Sequence, residues 1–121
     1  MCGRKTLTKG KIEIIQELLV DEWMDYFEWQ PSFNIAPTQV TPILVHDQKR
    51  IIRPMHWGLI PSWAKDRKFA SKLINARSET ILEKPSFKNL TQSSRCIVIA
   101  DGYFEWSKTI NGNQPYYMFH P

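Results

Sequence analysis

The chain has 121 residues, 42% of them hydrophobic and 23% charged, with a formal net charge of +4. That length fits one domain with a real core, and no apolar run approaches the ~20 residues of a membrane span. Cys2 and Cys96 are too few for a disulfide framework and no secretory signal precedes them, so a reducing cytoplasmic compartment is expected.

Thr8 is placed to cap a helix that begins near Lys9 and runs to about Phe27, with Ile12, Ile15, Leu19 and Trp23 on its buried face. Glu13, Glu17 and Asp21 then face water. Pro31 and Pro37 break regular structure in QPSFNIAPTQ. PILVH (42–46) and IIRPMHW (51–57) read as strands around the polar turn DQKR. GLIPSWAKDRKF (58–69) reads as a loop, LINARSET (73–80) as a strand leading into a short helix, and Pro85 as the start of a helical turn. RCIVIADGYFEW (95–106) is the strongest strand, buried on both faces through Ile97, Val98 and Ile99. Asn111-Gly112 marks a hairpin turn into YYMFH (116–120). Helix and hairpins without a βαβ rhythm predict an α+β fold, mainly antiparallel sheet.

Three places carry candidate chemistry. Cys2 directly follows Met1. Once Met1 is removed, the terminus holds an α-amine and a thiol on adjacent carbons. Such an amine has a pKa near 7.7–8.0, so part of it is neutral at physiological pH. It can attack an aldehyde to give an imine, and the thiolate can close on the imine carbon as a five-membered thiazolidine. A cysteine at this position also needs no function at all.

On an extended strand, Asn75, Arg77 and Glu79 share one face. They form either a solvated Arg-Glu pair or a polar wall, with Arg77 on a phosphate and Asn75 orienting a reacting group. Glu105, between Phe104 and Trp106, is either a solvated strand-end carboxylate or one desolvated enough for proton transfer near neutral pH. Arg4 suits a flanking phosphate, and Trp63, among Lys65, Asp66, Arg67 and Lys68, suits base stacking or core packing. Cys96 reads as an inert core thiol. The cysteines and the three histidines lack metal-ligand spacing, so no metal site is expected.

MCGR, NIAPTQ, MHWGLIPSWAKD, INARSET and RCIVIADGYFEW together resemble the SOS response-associated peptidase (SRAP) family, in that family's order over residues 1 to about 106. The resemblance implies a partly open, barrel-like antiparallel sheet with a few flanking helices. It implies covalent capture and shielding of abasic sites in single-stranded DNA during the DNA damage response, with no cofactor. By matching motif, Cys2 is the nucleophile, Asn75 orients the amine and sugar, and Glu105 is the acid/base that helps open the sugar ring. Arg4 and Arg77 match phosphate-holding positions, and Trp63 lies in a loop near the DNA channel.

The family's pattern also has a histidine in an HxRMP-like motif toward its C-terminal side, which no histidine here matches. The expectation is a single SRAP-like domain over 1–121, incomplete on its C-terminal side. It would act as a monomer, cytoplasmic and nucleoid-associated when bound to DNA. Two rivals remain: a cysteine peptidase, which needs a histidine near the thiol, and a non-catalytic single-strand-binding module, which predicts reversible, salt-sensitive binding.

Overall fold

The computed structural model describes residues 1–121. Eight strands divide into two four-stranded sheets, accompanied by one α-helix, α1 (Lys11–Leu18), and a 3-10 helix (Arg67–Ser71). The first sheet has the order β3-β1-β7-β8, built from β1 (Lys5–Leu7), β3 (Ser32–Ile35), β7 (Gly102–Thr109) and β8 (Gly112–Phe119). The second has the order β2-β5-β4-β6, built from β2 (Glu22–Trp23), β4 (Val40–Asp47), β5 (Lys49–His56) and β6 (Ile97–Val98). Every pairing is antiparallel except β2 with β5. The α+β class therefore holds, but the strands form two separate sheets and no closed barrel.

One apolar cluster joins all the layers. Leu7 and Ile35 come from the first sheet, Trp23, Leu44 and Ile52 from the second, and Ile14 from α1. Burial of each such side chain contributes roughly 1.5–3 kcal/mol.

Helix α1 is much shorter than the expected 9–27. It starts after Gly10, whose N–H is held by the Glu13 carboxylate at 3.1 Å, and it ends where Leu19 turns to φ 51°. Thr8 is not its cap; its hydroxyl and amide bind Asp101. The buried contact is Ile14, while Ile12 and Leu19 are exposed. Sheet pairing decides the helix end. Asp21 N–H reaches Arg50 O at 2.9 Å, so the chain runs alongside β5 and Trp23 enters the core, its indole N–H on Phe27 O.

The 42–46 and 51–57 strands appear as the β4–β5 hairpin, turning tightly at Gln48 (φ 60°). The 58–69 loop ends in the 3-10 helix, capped by Asp66, which accepts from Lys68 N at 2.9 Å. LINARSET is not a strand. Residues 73–77 run without a ladder partner, and turns follow from Ser78 through the Pro85 region.

The expected 95–106 strand is two strands with a crossing between them. β6 pairs with β4 in the second sheet and β7 with β1 in the first, so the chain leaves one sheet and enters the other at Ile99–Asp101. Ile97 and Val98 are 61% and 57% exposed rather than buried on both faces, because β6 is an edge strand. Cys96 is exposed, not a core thiol. In the last hairpin Thr109 pairs with Gly112, so the turn residues are Ile110 and Asn111, with Gly112 (φ 112°) opening β8.

Candidate functional site

The site is built where the N-terminal segment lies along β7. Lys5 pairs with Tyr103 and Thr6 with Gly102, and Phe104 N–H continues the line to Arg4 O at 2.9 Å. This antiparallel path carries the first residues toward Glu105. The Met1 ammonium lies 3.6 Å from Glu105 Oε1.

Asn75 closes the group from the other side, its side-chain amide donating to Cys2 O at 2.8 Å. The loop carrying it is itself fixed. Trp57 Nε1 donates to Ile74 O at 2.9 Å, and Leu59 N–H reaches Leu73 O at 3.0 Å. The Cys2 thiol lies 3.6 Å from Arg4 O. Cys2, Asn75 and Glu105, which lie far apart in sequence, therefore surround one chain end.

Arg4 extends from this centre. Its Nη1 donates to Asn34 Oδ1 at 2.7 Å, while its buried Nε has no acceptor. The planar guanidinium therefore keeps donors to spare for an oxyanion such as a phosphate. Arg77 is exposed, two positions beyond Asn75, and makes no ion pair. Trp63 is 55% exposed and sits edge-on to Phe69 at 5.5 Å. It lines a cavity of about 290 Å³ with Pro61, Pro85 and Leu90, and has no direct contact with the Cys2 group.

Glu105 is not desolvated by its two aromatic neighbours. Alternation along β7 puts Phe104 and Trp106 on the opposite face from Glu105, and Phe104 packs on Tyr117 at 5.0 Å. The Glu105 side chain is 38% exposed and meets a cation rather than an apolar wall.

Two charged neighbours of the site escaped the sequence reading. Asp101 accepts from the Thr6 hydroxyl at 2.5 Å and from Thr8 N–H and Oγ1 at 2.6 and 2.7 Å, pinning the middle and the C-terminal end of β1. Lys5 is buried, its Nζ on Ile99 O at 2.7 Å. Burial pulls its pKa down to about 8, against the attraction of Cys2 and Asp101. No local pattern distinguishes a buried lysine in MCGRK from a solvated one. Only the place of β1 between two neighbouring strands, which buries all three of its residues, reveals it.

The "SOS response associated peptidase (SRAP)" family description matches residues 1–121. Abasic site processing protein YoaM of Bacillus subtilis (strain 168) is 44% identical over 109 residues, covering 89% of this chain and 48% of that protein. Abasic site processing protein HMCES of Gallus gallus is 34% identical over a 143-residue alignment that covers 100% of this chain and 43% of that protein. A crystal structure of a protein from Bacteroides thetaiotaomicron superposes with TM-score 0.79 at 27% identity, covering 98% of this chain and 54% of that one. The chain spans about half the length of the curated relatives it matches. With its motifs in order and its fold shared, this chain belongs to the SOS response associated peptidase family.

Proposed function

We propose that the protein captures abasic sites in DNA covalently, as a thiazolidine on Cys2 after Met1 has been removed, and so shields the site. The observation that carries this reading is the meeting of Asn75 and Glu105 at one chain end, with the Cys2 carbonyl held at 2.8 Å and the terminal ammonium 3.6 Å from a carboxylate. The names of the relatives YoaM and HMCES, both abasic site processing proteins, point the same way.

While Met1 is attached, the Cys2 nitrogen is an amide and cannot react as an amine. Its release uncovers the nucleophile. The amine lone pair attacks the aldehyde carbon of the opened sugar. Two protons pass through the Glu105 carboxyl to the oxygen, one from the amine and one from the Cys2 thiol, so that it departs as water and leaves an iminium beside a thiolate. The Cys2 thiolate then adds to that carbon, forming the C–S bond while the C=N electron pair moves to nitrogen. The sum is protein plus DNA minus one water, and no strand is broken. Without the thiol, the iminium would acidify the neighbouring sugar carbon and open the way to β-elimination.

Arg4 and Arg77 hold the flanking phosphates, Trp63 stacks a base farther along the strand, and Asn75 keeps the Cys2 backbone in place. We place the reaction on single-stranded DNA, where the sugar can open unpaired, with the protein acting as a monomer. A cytoplasmic, nucleoid-bound setting would keep the thiol reduced.

Intact mass after mixing with a single-stranded oligonucleotide carrying one abasic site tests this. The expected product is Met-less protein plus DNA minus water. An adduct that persists in Cys2→Ala overturns the reading.

A further inference from the structure

β8 is the edge of the first sheet, and all eight of its residues are exposed. Natural sheets guard such an edge with charged side chains, bulges or a cover. β8 has no charged residue, and its pairing with β7 runs along the whole strand without a shift in register. Its one proline, Pro115, lies in the N-terminal half and leaves Tyr116–Phe119 free to pair.

The hairpin is also apolar on both faces. Lys5 pairs with Tyr103 and borders the cavity between the sheets, so Tyr103, its partner Met118 and, by alternation, Tyr116 point to the side of the second sheet. That sheet does not cover them, and all three are exposed. On the other face, contacts from Trp106 to Phe104, Phe104 to Tyr117 and Tyr117 to Phe119 form one aromatic run, with centroids 5.0–6.3 Å apart. The open side continues onto β6, the edge of the second sheet, because only Ile99–Asp101 separate it from β7. Ile97 and Val98 are exposed there. A contiguous apolar surface of this kind marks an interaction site.

Length indicates the occupant. Just over half of YoaM lies outside the region it shares with this chain. The Bacteroides thetaiotaomicron structure keeps the same fold with nearly as much chain again beyond the shared 54%. A second copy of this chain would pair β8 with β8 and leave β6 uncovered. We propose that β8 and β6 form a docking surface for a polypeptide segment like the unshared part of YoaM, which adds a strand to β8 and covers the open side between the sheets. Glu105 lies opposite Tyr116 on the inward face, so the docked segment borders the candidate site. The docking does not depend on the capture reading.

Size-exclusion chromatography with light scattering tests this, on the chain alone and mixed with the unshared part of YoaM as a separate polypeptide. The chain alone is expected to run as a monomer and the mixture as a one-to-one complex. Met118→Lys and Ile97→Lys, each placing an ammonium on the surface, are expected to weaken the complex about 10-fold or more. Ile12→Lys, on the exposed side of α1, is expected to leave it unchanged. Components that stay separate, a homodimer that excludes the YoaM part, or a complex indifferent to both surface substitutions overturns the proposal.

A second measurement does not require the YoaM part to be stable by itself. That part is fused after Pro121 through a flexible Gly/Ser linker, and amide hydrogen exchange is compared with that of the chain alone. Exchange at Tyr116–Phe119 is expected to slow about 10-fold or more in the fusion. Unchanged exchange there overturns the proposal. A complex that forms while abasic DNA yields no adduct would count against the capture reading and leave the docking surface standing.

Discussion

Asp101 has two carboxylate oxygens and receives three hydrogen bonds, from Thr6 Oγ1, Thr8 N–H and Thr8 Oγ1. Partial burial works to raise its pKa, but these bonds outweigh it and hold the carboxyl below its ordinary value. A folded-state pKa below the unfolded one means that the unfolded chain binds more protons as the solution is acidified. The stability Asp101 contributes is therefore complete above the unfolded value near 4 and is lost as pH falls through the folded one. Asp101→Ala is expected to cost about 2–3 kcal/mol at pH 7. Urea unfolding should show that the penalty shrinks in acid. An equal penalty at pH 7 and pH 3 would remove the carboxylate from the account.

At this scale the sequence was informative where chemistry is unusual and silent where it is ordinary. A cysteine after Met1, an asparagine in INARSET and a glutamate in GYFEW each have a recognisable chemical use. Lys5 and Asp101 look like any surface charges, and only the pairing of β1 between β3 and β7 gives them their roles.

At the level of elements, the loop that delivers Asn75 depends on a glycine. Gly58 has φ 124°, and a Cβ there would meet Ala70 O at 2.1 Å. The backbone strain and the clash act together at the seam between β5 and the 3-10 helix. From that helix the chain passes directly to Leu73, Ile74 and Asn75. Gly58→Ala is expected to lower stability by about 2 kcal/mol or more. It should also slow adduct formation in protein that remains folded, because the Asn75 bond to Cys2 O loosens. Thermal unfolding and capture rate, measured together, check this. A destabilised variant with an unchanged capture rate would mean that Asn75 does not need this support.

The elements that were misjudged share one cause. The helix stops at Leu18 because the next residues align with β5, and the 95–106 run breaks because its two halves belong to different sheets. Local periodicity sees apolar spacing but cannot see which strand is waiting to pair. INARSET shows the converse. Its alternation is strand-like, yet no ladder partner adjoins it, and it is held instead by Trp57 and Cys2. The β4–β5 hairpin was legible because its partner lies within the same short window.

For the molecule as a whole, the proposed capture would begin with a non-covalent encounter between a chain of net charge +4 and a polyanion. For single strands the affinity falls with log salt by about 0.7 for each phosphate neutralised. Arg4 and Arg77 are the two cations assigned to phosphates, and Trp63 is assigned to a base. These assignments differ in what they predict. Arg77→Gln is expected to reduce the salt slope by about 0.7 and to weaken encounter alike for all sequences. Trp63→Ala is expected to cost about 1–3 kcal/mol with the slope unchanged, because stacking releases no counterion. Fluorescence anisotropy on an undamaged single strand, which cannot crosslink, reads both quantities across a salt series. A slope that does not respond to Arg77→Gln would move the phosphate path off the Asn75 loop. Of the two cations assigned to phosphates, it would leave Arg4.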